Sequence, residues 1–267
     1  MKGAISGIIT AEDLAAGYQD HTVWRDANFA VAQGEFTAII GPNGAGKTTL
    51  FRLLLGLHPP ITGSLKILNA QPKRGNPKIG YVPQRHVFDS ESNLESLELV
   101  RLGFSGTQWG INLFSHTDRV AALDALESVS AADLAHRSIS ELSGGELQRV
   151  FLAEAMVSNP DILLLDEPLS NLDLRREKEL LQVVNKVVRS RNVTALLIAH
   201  NINPLLPYLD KVMYIANGRV AMGKPSEVLT SESLTSLYGV QIEVLRDSQG
   251  NVAIIGIEDS QTGHDTT

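Results

Sequence analysis

A chain of 267 residues with 43% hydrophobic content can bury a sizeable core and fits one domain with a smaller lobe, so disorder is not the default expectation. A formal net charge of −7 supplies no basic footprint for neutralising a phosphate backbone, so a nucleic-acid partner is not expected. Cysteine is absent, which rules out a disulfide framework and a thiolate metal site.

The opening residues include Glu12 and Asp13 and hold no apolar stretch of signal-peptide length. Apolar runs elsewhere, such as Ile162–Leu165 and Ala195–Ala199, are strand-length and far short of the roughly 20 residues of a membrane span. The expected location is therefore cytoplasmic, with membrane contact made only through a partner. Val23–Val31 and Phe36–Ile40 read as strands around the turn-prone Gln33-Gly34. Thr48–Leu55 reads as a helix stopped by Gly56. From about Ser92 to Asn159 the pattern turns helical, with Val120, Leu123, Leu126 and Val129 expected on one face. Strand patterns return at Ile162–Leu165 and Thr194–Ala199 around a charged helix from Leu174 to about Ser190, an alternation that predicts a parallel sheet covered by helices. Asn217-Gly218 marks a two-residue hairpin between Val212–Ile215 and Arg219–Met222. Gln241–Glu258 reads as a further hairpin turning near Gln249-Gly250-Asn251, and Asp259–Thr267 as a frayed tail in which a lone His264 is solvated and idle.

The strand at Phe36–Ile40 runs into Gly41-Pro42-Asn43-Gly44-Ala45-Gly46-Lys47-Thr48-Thr49, which fits the phosphate-loop pattern. Glycines let successive backbone N–H groups approach an anion at a helix N-terminus without side-chain obstruction. In that reading Lys47 reaches the β- and γ-phosphates and the Thr48 hydroxyl faces Mg²⁺. Ile162–Leu165 ends in Asp166-Glu167, two adjacent carboxylates at the carboxyl edge of the expected sheet, where α/β folds bind ligands. Strand alternation points them in different directions. Asp166 is expected to hold Mg²⁺ and Glu167 to act as general base toward the attacking water. Leu142-Ser143-Gly144-Gly145-Glu146 then opens a second helix with a serine and glycines, a further anion-binding N-terminus.

Followed by Leu147-Gln148-Arg149, that segment resembles the signature of ABC ATPases, and the resemblance extends from Ile9 to about Tyr238 with the motifs in the family's order. It implies a fold of the α/β class: a phosphate-loop core of mainly parallel sheet flanked by helices, an antiparallel β portion and an inserted helical lobe. The ATPase domain would span residues 1–240 with the lobe at about 90–160, a hairpin at 241–258 and a tail at 259–267. It implies two chains head to tail, each placing Ser143, Gly144 and Gly145 on the partner's ATP. Tyr18 matches the aromatic that stacks on adenine. Gln84, in Tyr81-Val82-Pro83-Gln84, matches the glutamine that contacts metal and water; Ser170-Asn171-Leu172-Asp173 matches the loop crossing the dimer interface; His200 matches the switch histidine of the γ-phosphate.

Glu146, Glu154 and Asn171 depart from common family residues without touching a phosphate-contacting position. Gly103–Phe114, aromatic and Gly-rich, reads equally as a self-packed loop or as permease-docking surface. The resemblance implies a transport ATPase working with membrane permease subunits and an extracytoplasmic substrate-binding protein. Rival readings are an ATPase serving cytosolic cluster assembly and a nucleotide-dependent module with negligible turnover. Glu167 and His200 argue against the inert module, and the absence of a long insertion before the signature argues against a DNA-repair branch. Ile79-Gly80-Tyr81-Val82-Pro83-Gln84-Arg85 and the ending from Pro225 through Gly239 look most like manganese, zinc and iron importers, although siderophore importers share part of that ending.

Overall fold

The structure, a computed structural model, describes residues 6–18, 21–84, 93–105, 116–170 and 172–256. Arg85, Asn171, most of the 103–114 stretch and the tail with His264 lie outside the described residues. In chain order the elements are β1 (Ile9–Tyr18), β2 (His21–Val31), β3 (Phe36–Ile40), α1 (Lys47–Leu54), β4 (Thr62–Ile67), β5 (Ile79–Val82), α2 (Ser96–Ser105), α3 (His116–Ser128) and α4 (Gly144–Met156). They continue with β6 (Ile162–Asp166), α5 (Leu174–Arg191), β7 (Thr194–Ile198), β8 (Lys211–Ala216), β9 (Arg219–Gly223), α6 (Pro225–Val228), α7 (Ser231–Tyr238), β10 (Ile242–Arg246) and β11 (Val252–Gly256).

The main sheet has the order β5-β6-β7-β3-β8-β9, parallel except for β9 at one edge. Strands β3, β6 and β7 are buried along their whole length, as the middle of a parallel sheet requires. Their period-two alternation divides the interior. Leu163, Leu165, Ala195 and Leu197 face one core together with α4 and α5 residues, while Ile162, Leu164, Leu196 and Ile198 face a second with Leu50 and Phe51 of α1. The second core is closed by an antiparallel sheet of order β2-β1-β4. In the β8–β9 hairpin Asn217 and Gly218 both take positive φ, 46° and 72°, which a two-residue type I′ turn demands.

Three strands are not apparent from sequence patterning. β1 pairs with β2 through register shifts between Ala11 and Leu14, Leu14 and Ala16, and Ala16 and Gly17, and such bulges scramble the alternation by which a strand is read. β4 is short and carries Gly63 at positive φ, and β5 is short with a Pro after it. Gly80 in β5 has a packing reason: a Cβ there would lie 2.3 Å from the Ala155 carbonyl oxygen, so α4 lies close against the strand.

The helical lobe also corrects one expectation. Leu126 and Val129 are buried, but Val120 is 52% exposed. Residues three apart rotate by about −60° per step around a helix of 3.6 residues per turn, so Val120 and Val129 end on opposite sides; Ala122, Ala125 and Leu126 form the buried stripe instead. Glu154 of α4 sits beneath Gly103 of α2, where a Cβ would come within 3.2 Å of the Glu154 Cγ. Burial raises its carboxyl to about 7. A carboxyl raised in the fold favours folding at low pH, and that contribution is lost as pH rises through about 7. Glu154→Gln should therefore be the more stable chain at about pH 8, by up to about 3 kcal/mol, and indistinguishable at about pH 4. Thermal melts of both chains across that range check this, and a variant that keeps the parent's pH slope would contradict it.

Candidate functional site

The phosphate loop is shaped by packing beneath it. A Cβ on Gly41 would meet the Ile215 carbonyl oxygen of β8 at 2.0 Å, and one on Gly46 would strike Val23 and the Trp24 indole, within 2.8 Å. Gly46, at φ 97°, is the N-cap of α1; no side chain caps that terminus and no acidic residue stands in its first turn, which leaves its N–H groups to an external anion. Gly44 also has positive φ, with open space on its side-chain face. Asn43 borders a cavity of about 370 Å³ shared with Gly41 and His200. Lys47 begins α1 and is only 6% exposed. Its ammonium donates to the carbonyl oxygens of Gly41 at 2.8 Å and Pro42 at 3.0 Å. Burial lowers its pKa below that of an ordinary lysine, and the charges of Glu167 and Asp166 oppose the drop. Thr48 and Thr49 follow in the first turn, Thr49 buried.

Asp166 ends β6 and is 4% exposed. Its carboxyl is raised above the usual range by burial and by the neighbouring Glu167 charge, against a hydrogen bond from Tyr81 and the charges of Lys47 and Arg52. The Tyr81 hydroxyl donates to Asp166 Oδ2 at 3.4 Å, and burial with the Asp166 charge pushes that phenol up to about 12. Glu167 takes a left-handed φ of 51°, a strained choice for this residue, as its N–H donates to Ile198 O at 3.2 Å. Its carboxylate meets two side chains. Gln84 Nε2 donates to Glu167 Oε2 at 2.5 Å, and His200 Nε2 lies 2.9 Å from the same oxygen. The Ser170 hydroxyl donates to Glu167 O at 2.9 Å, and Asp173 caps α5 by accepting from the Arg176 N–H at 2.9 Å. Residues 84, 167 and 200 are thus gathered by adjacent strand ends β5, β6 and β7.

Other expected residues stand apart. Ser143 is the N-cap of α4, and its N–H donates to Glu146 Oε2 at 2.8 Å. The nearest neighbours a Cβ on Gly144 or Gly145 would meet are Leu172 and Arg176. Among the described residues no hydrogen bond or ion pair joins these three to the phosphate loop. The unusual Glu146 has its own counterion, Arg137, at 2.9 Å, and hydrogen bonds from Ser143 hold its carboxyl below the usual range. Tyr18 stacks on His58, with ring centroids 4.7 Å apart, and its hydroxyl accepts from Arg52 at 2.8 Å. Sequence reasoning missed Tyr81 and Arg52 around the carboxylates and Trp24 under the loop. Only the parallel register of Tyr81 with Leu164, two residues before Asp166, carries a signal for the first of them.

A phosphate loop opening an uncapped helix, a carboxylate pair at the end of β6 in the same sheet, and a glutamine and a histidine meeting on one of those carboxylates define a phosphate-loop nucleotide hydrolase. The ABC transporter family matches residues 24–170. The manganese transport system ATP-binding protein MntB of Bacillus subtilis is 33% identical over 90% of this chain and 95% of its own length. The zinc transport system ATP-binding protein TroB of Treponema pallidum is 31% identical over 91% of each chain. Among solved structures, an inward-facing ABC transporter provisionally typed as metal-chelate is 29% identical, covers 95% of this chain and 99% of its own, and superposes with a TM-score of 0.79. A dimeric ATP-binding cassette holding ADP and Pi after hydrolysis is 26% identical over 81% of this chain and 98% of its own, at a TM-score of 0.67. The chain belongs to the ABC transporter family and is an ATP-binding subunit whose ATPase activity is coupled to transport. Among the described residues no helix is long and apolar enough to cross a membrane.

Proposed function

We propose that the chain powers import of a divalent transition metal, manganese or zinc first among them, as a homodimer on the inner face of the membrane. The observation that carries the ATPase part is the convergence of Gln84 and His200 on Glu167 beside the Lys47 loop. Two chains close head to tail, so that Ser143, Gly144 and Gly145 of one meet the γ-phosphate held by Gly41–Thr49 of the other, which suits two anion sites that do not meet within one chain. Tyr18 receives the adenine.

The residues present fit Mg²⁺: Asp166 is buried with the Glu167 charge acting on it, Thr48 offers an exposed hydroxyl in the first turn of α1, and Gln84 carries an amide oxygen. The ion supplies neutralisation of charge on the β- and γ-oxygens. Glu167 accepts a proton from water as that oxygen bonds to the γ-phosphorus and the bond to the β-phosphate oxygen breaks; Lys47, the loop amides and the partner's Ser143 stabilise the charge that develops.

The cargo reading rests on resemblance to the manganese and zinc ATP-binding proteins. Permease subunits, with an extracytoplasmic binding protein, carry selectivity and hold this subunit at the membrane, since ligand softness and geometry select a metal at its own site. The metal-chelate transporter favours a metal chelate as the second reading. Reconstitution with its permease subunits in vesicles should show ATP-dependent uptake of manganese or zinc, measured in parallel with iron, a ferric siderophore and vitamin B12. Uptake of the siderophore or vitamin alone would overturn the free-metal reading.

A further inference from the structure

The segment that follows His200 is held by the C-terminal hairpin, beyond the stretch over which the family match runs. β7 ends at Ile198 and the Ala199 N–H donates to Ile39 O at 3.1 Å, so the chain leaves the sheet beside the phosphate loop. The His200 side chain is 54% exposed, so packing restrains it little and the course of its loop sets where it stands. Three residues on, the Asn203 N–H donates to Asn201 Oδ1 at 3.1 Å, which tightens the turn.

The Asn203 side chain reaches 49 residues along the chain. Its Nδ2 donates to Val252 O at 3.0 Å and its Oδ1 accepts from the Val252 N–H at 2.7 Å. Donor and acceptor of one planar amide thus close on the backbone of one β11 residue, a two-point clamp that a carboxylate or an aliphatic side chain cannot make. The anchor is itself fixed. Ile242 and Val252 are buried in the main core. β10 is tied to the preceding helix by Ile242 N–H to Thr235 Oγ1 at 3.0 Å and Val244 N–H to Ser231 Oγ at 2.9 Å, and Arg246 donates to Leu229 O at 3.0 Å. Ile254 of β11 shares one cavity wall with Gly41, Asn43 and His200, so the hairpin borders the phosphate loop directly.

We infer that Asn203 is a positioning residue for ATP hydrolysis: clamped to β11, it sets where the His200 imidazole stands against Glu167. The inference rests on the reading of His200 as a switch residue between Glu167 and the γ-phosphate, which the family resemblance implies. A side chain misplaced by about 1 Å from its working position can cost about a hundredfold in rate, so a modest loosening of the loop is measurable.

The test compares Asn203→Ala, His200→Ala and the double variant, each in the full-length chain, by steady-state ATP hydrolysis and thermal melting. Asn203→Ala should lose about tenfold in kcat with KM for ATP changed by less than about twofold. The double variant should be no slower than His200→Ala, since the clamp then has nothing left to position. Asn203→Asp, which keeps the acceptor but sets a carboxylate oxygen against the Val252 carbonyl, should lose at least as much kcat as alanine, and the melting curves of the two chains separate a loosened loop from a folding defect. Losses that multiply in the double variant, or an unchanged kcat in Asn203→Ala, would overturn the clamp while leaving His200 its role. Parent-like turnover in His200→Ala would remove that role and the clamp with it.

Discussion

Replacing Lys47 with alanine is expected to reduce ATP hydrolysis by at least about a hundredfold, the scale for losing one preorganised charge from a phosphoryl-transfer site. The side chain already sits inside the loop, its ammonium held by the Gly41 and Pro42 carbonyls at 2.8 and 3.0 Å, so little reorientation separates this position from a phosphate in the same concavity. The fold should survive the change. Lys47 is 6% exposed and burial lowers its pKa, which means the charged side chain is itself costly to bury. Its loss also removes a cation that offsets Asp166, so that carboxyl should become harder to ionise. Turnover and nucleotide titration of the purified variant, alongside a melting curve, check this. Parent-like hydrolysis would contradict the assignment of Lys47 to the phosphates.

Glu167→Gln should separate binding from chemistry. The carboxylate accepts from Gln84 and from His200 on one oxygen, Oε2, and a glutamine amide oxygen turned the same way can keep both contacts. What it cannot do is take a proton from water. The expected result is a fall in kcat of about a hundred- to ten-thousandfold with ATP affinity retained. Removal of one negative charge beside Asp166 should further ease its ionisation. Since nucleotide then persists between two chains, size-exclusion runs with ATP and Mg²⁺ should show a dimer. A variant that stays monomeric and still turns over ATP would refute both the base and the sandwich.

Most of the chemistry was legible before any fold was known, because it is carried by short contiguous segments. Gly41–Thr49, Asp166-Glu167 and Ser143–Glu146 each encode a local backbone shape or an adjacent charge pair. The parallel sheet was legible for a similar reason: β3, β6 and β7 are apolar along their length because both faces are covered. β1 was not, since its bulges break the alternation that a reader counts. The helical stripe around Leu126 was misassigned to residues three apart, a spacing that walks around the helix instead of following one face.

By itself, then, the sequence determined the Gly-rich loop before α1, the carboxylate pair ending β6, the N-terminus of α4 and the family to which the chain belongs. The tertiary structure alone decided that Gln84 and His200 meet on one oxygen of Glu167, that Tyr81 stands over Asp166, that Arg137 neutralises Glu146, and that Asn203 closes on Val252. Apart from the Arg137–Glu146 pair, which joins the approach of α4 to its first turn, each of these contacts is made between ends of parallel strands or between segments far apart in the chain. Residue spacing records the period of one element, but it holds no record of which elements become neighbours; that is set by the burial of apolar faces against one another.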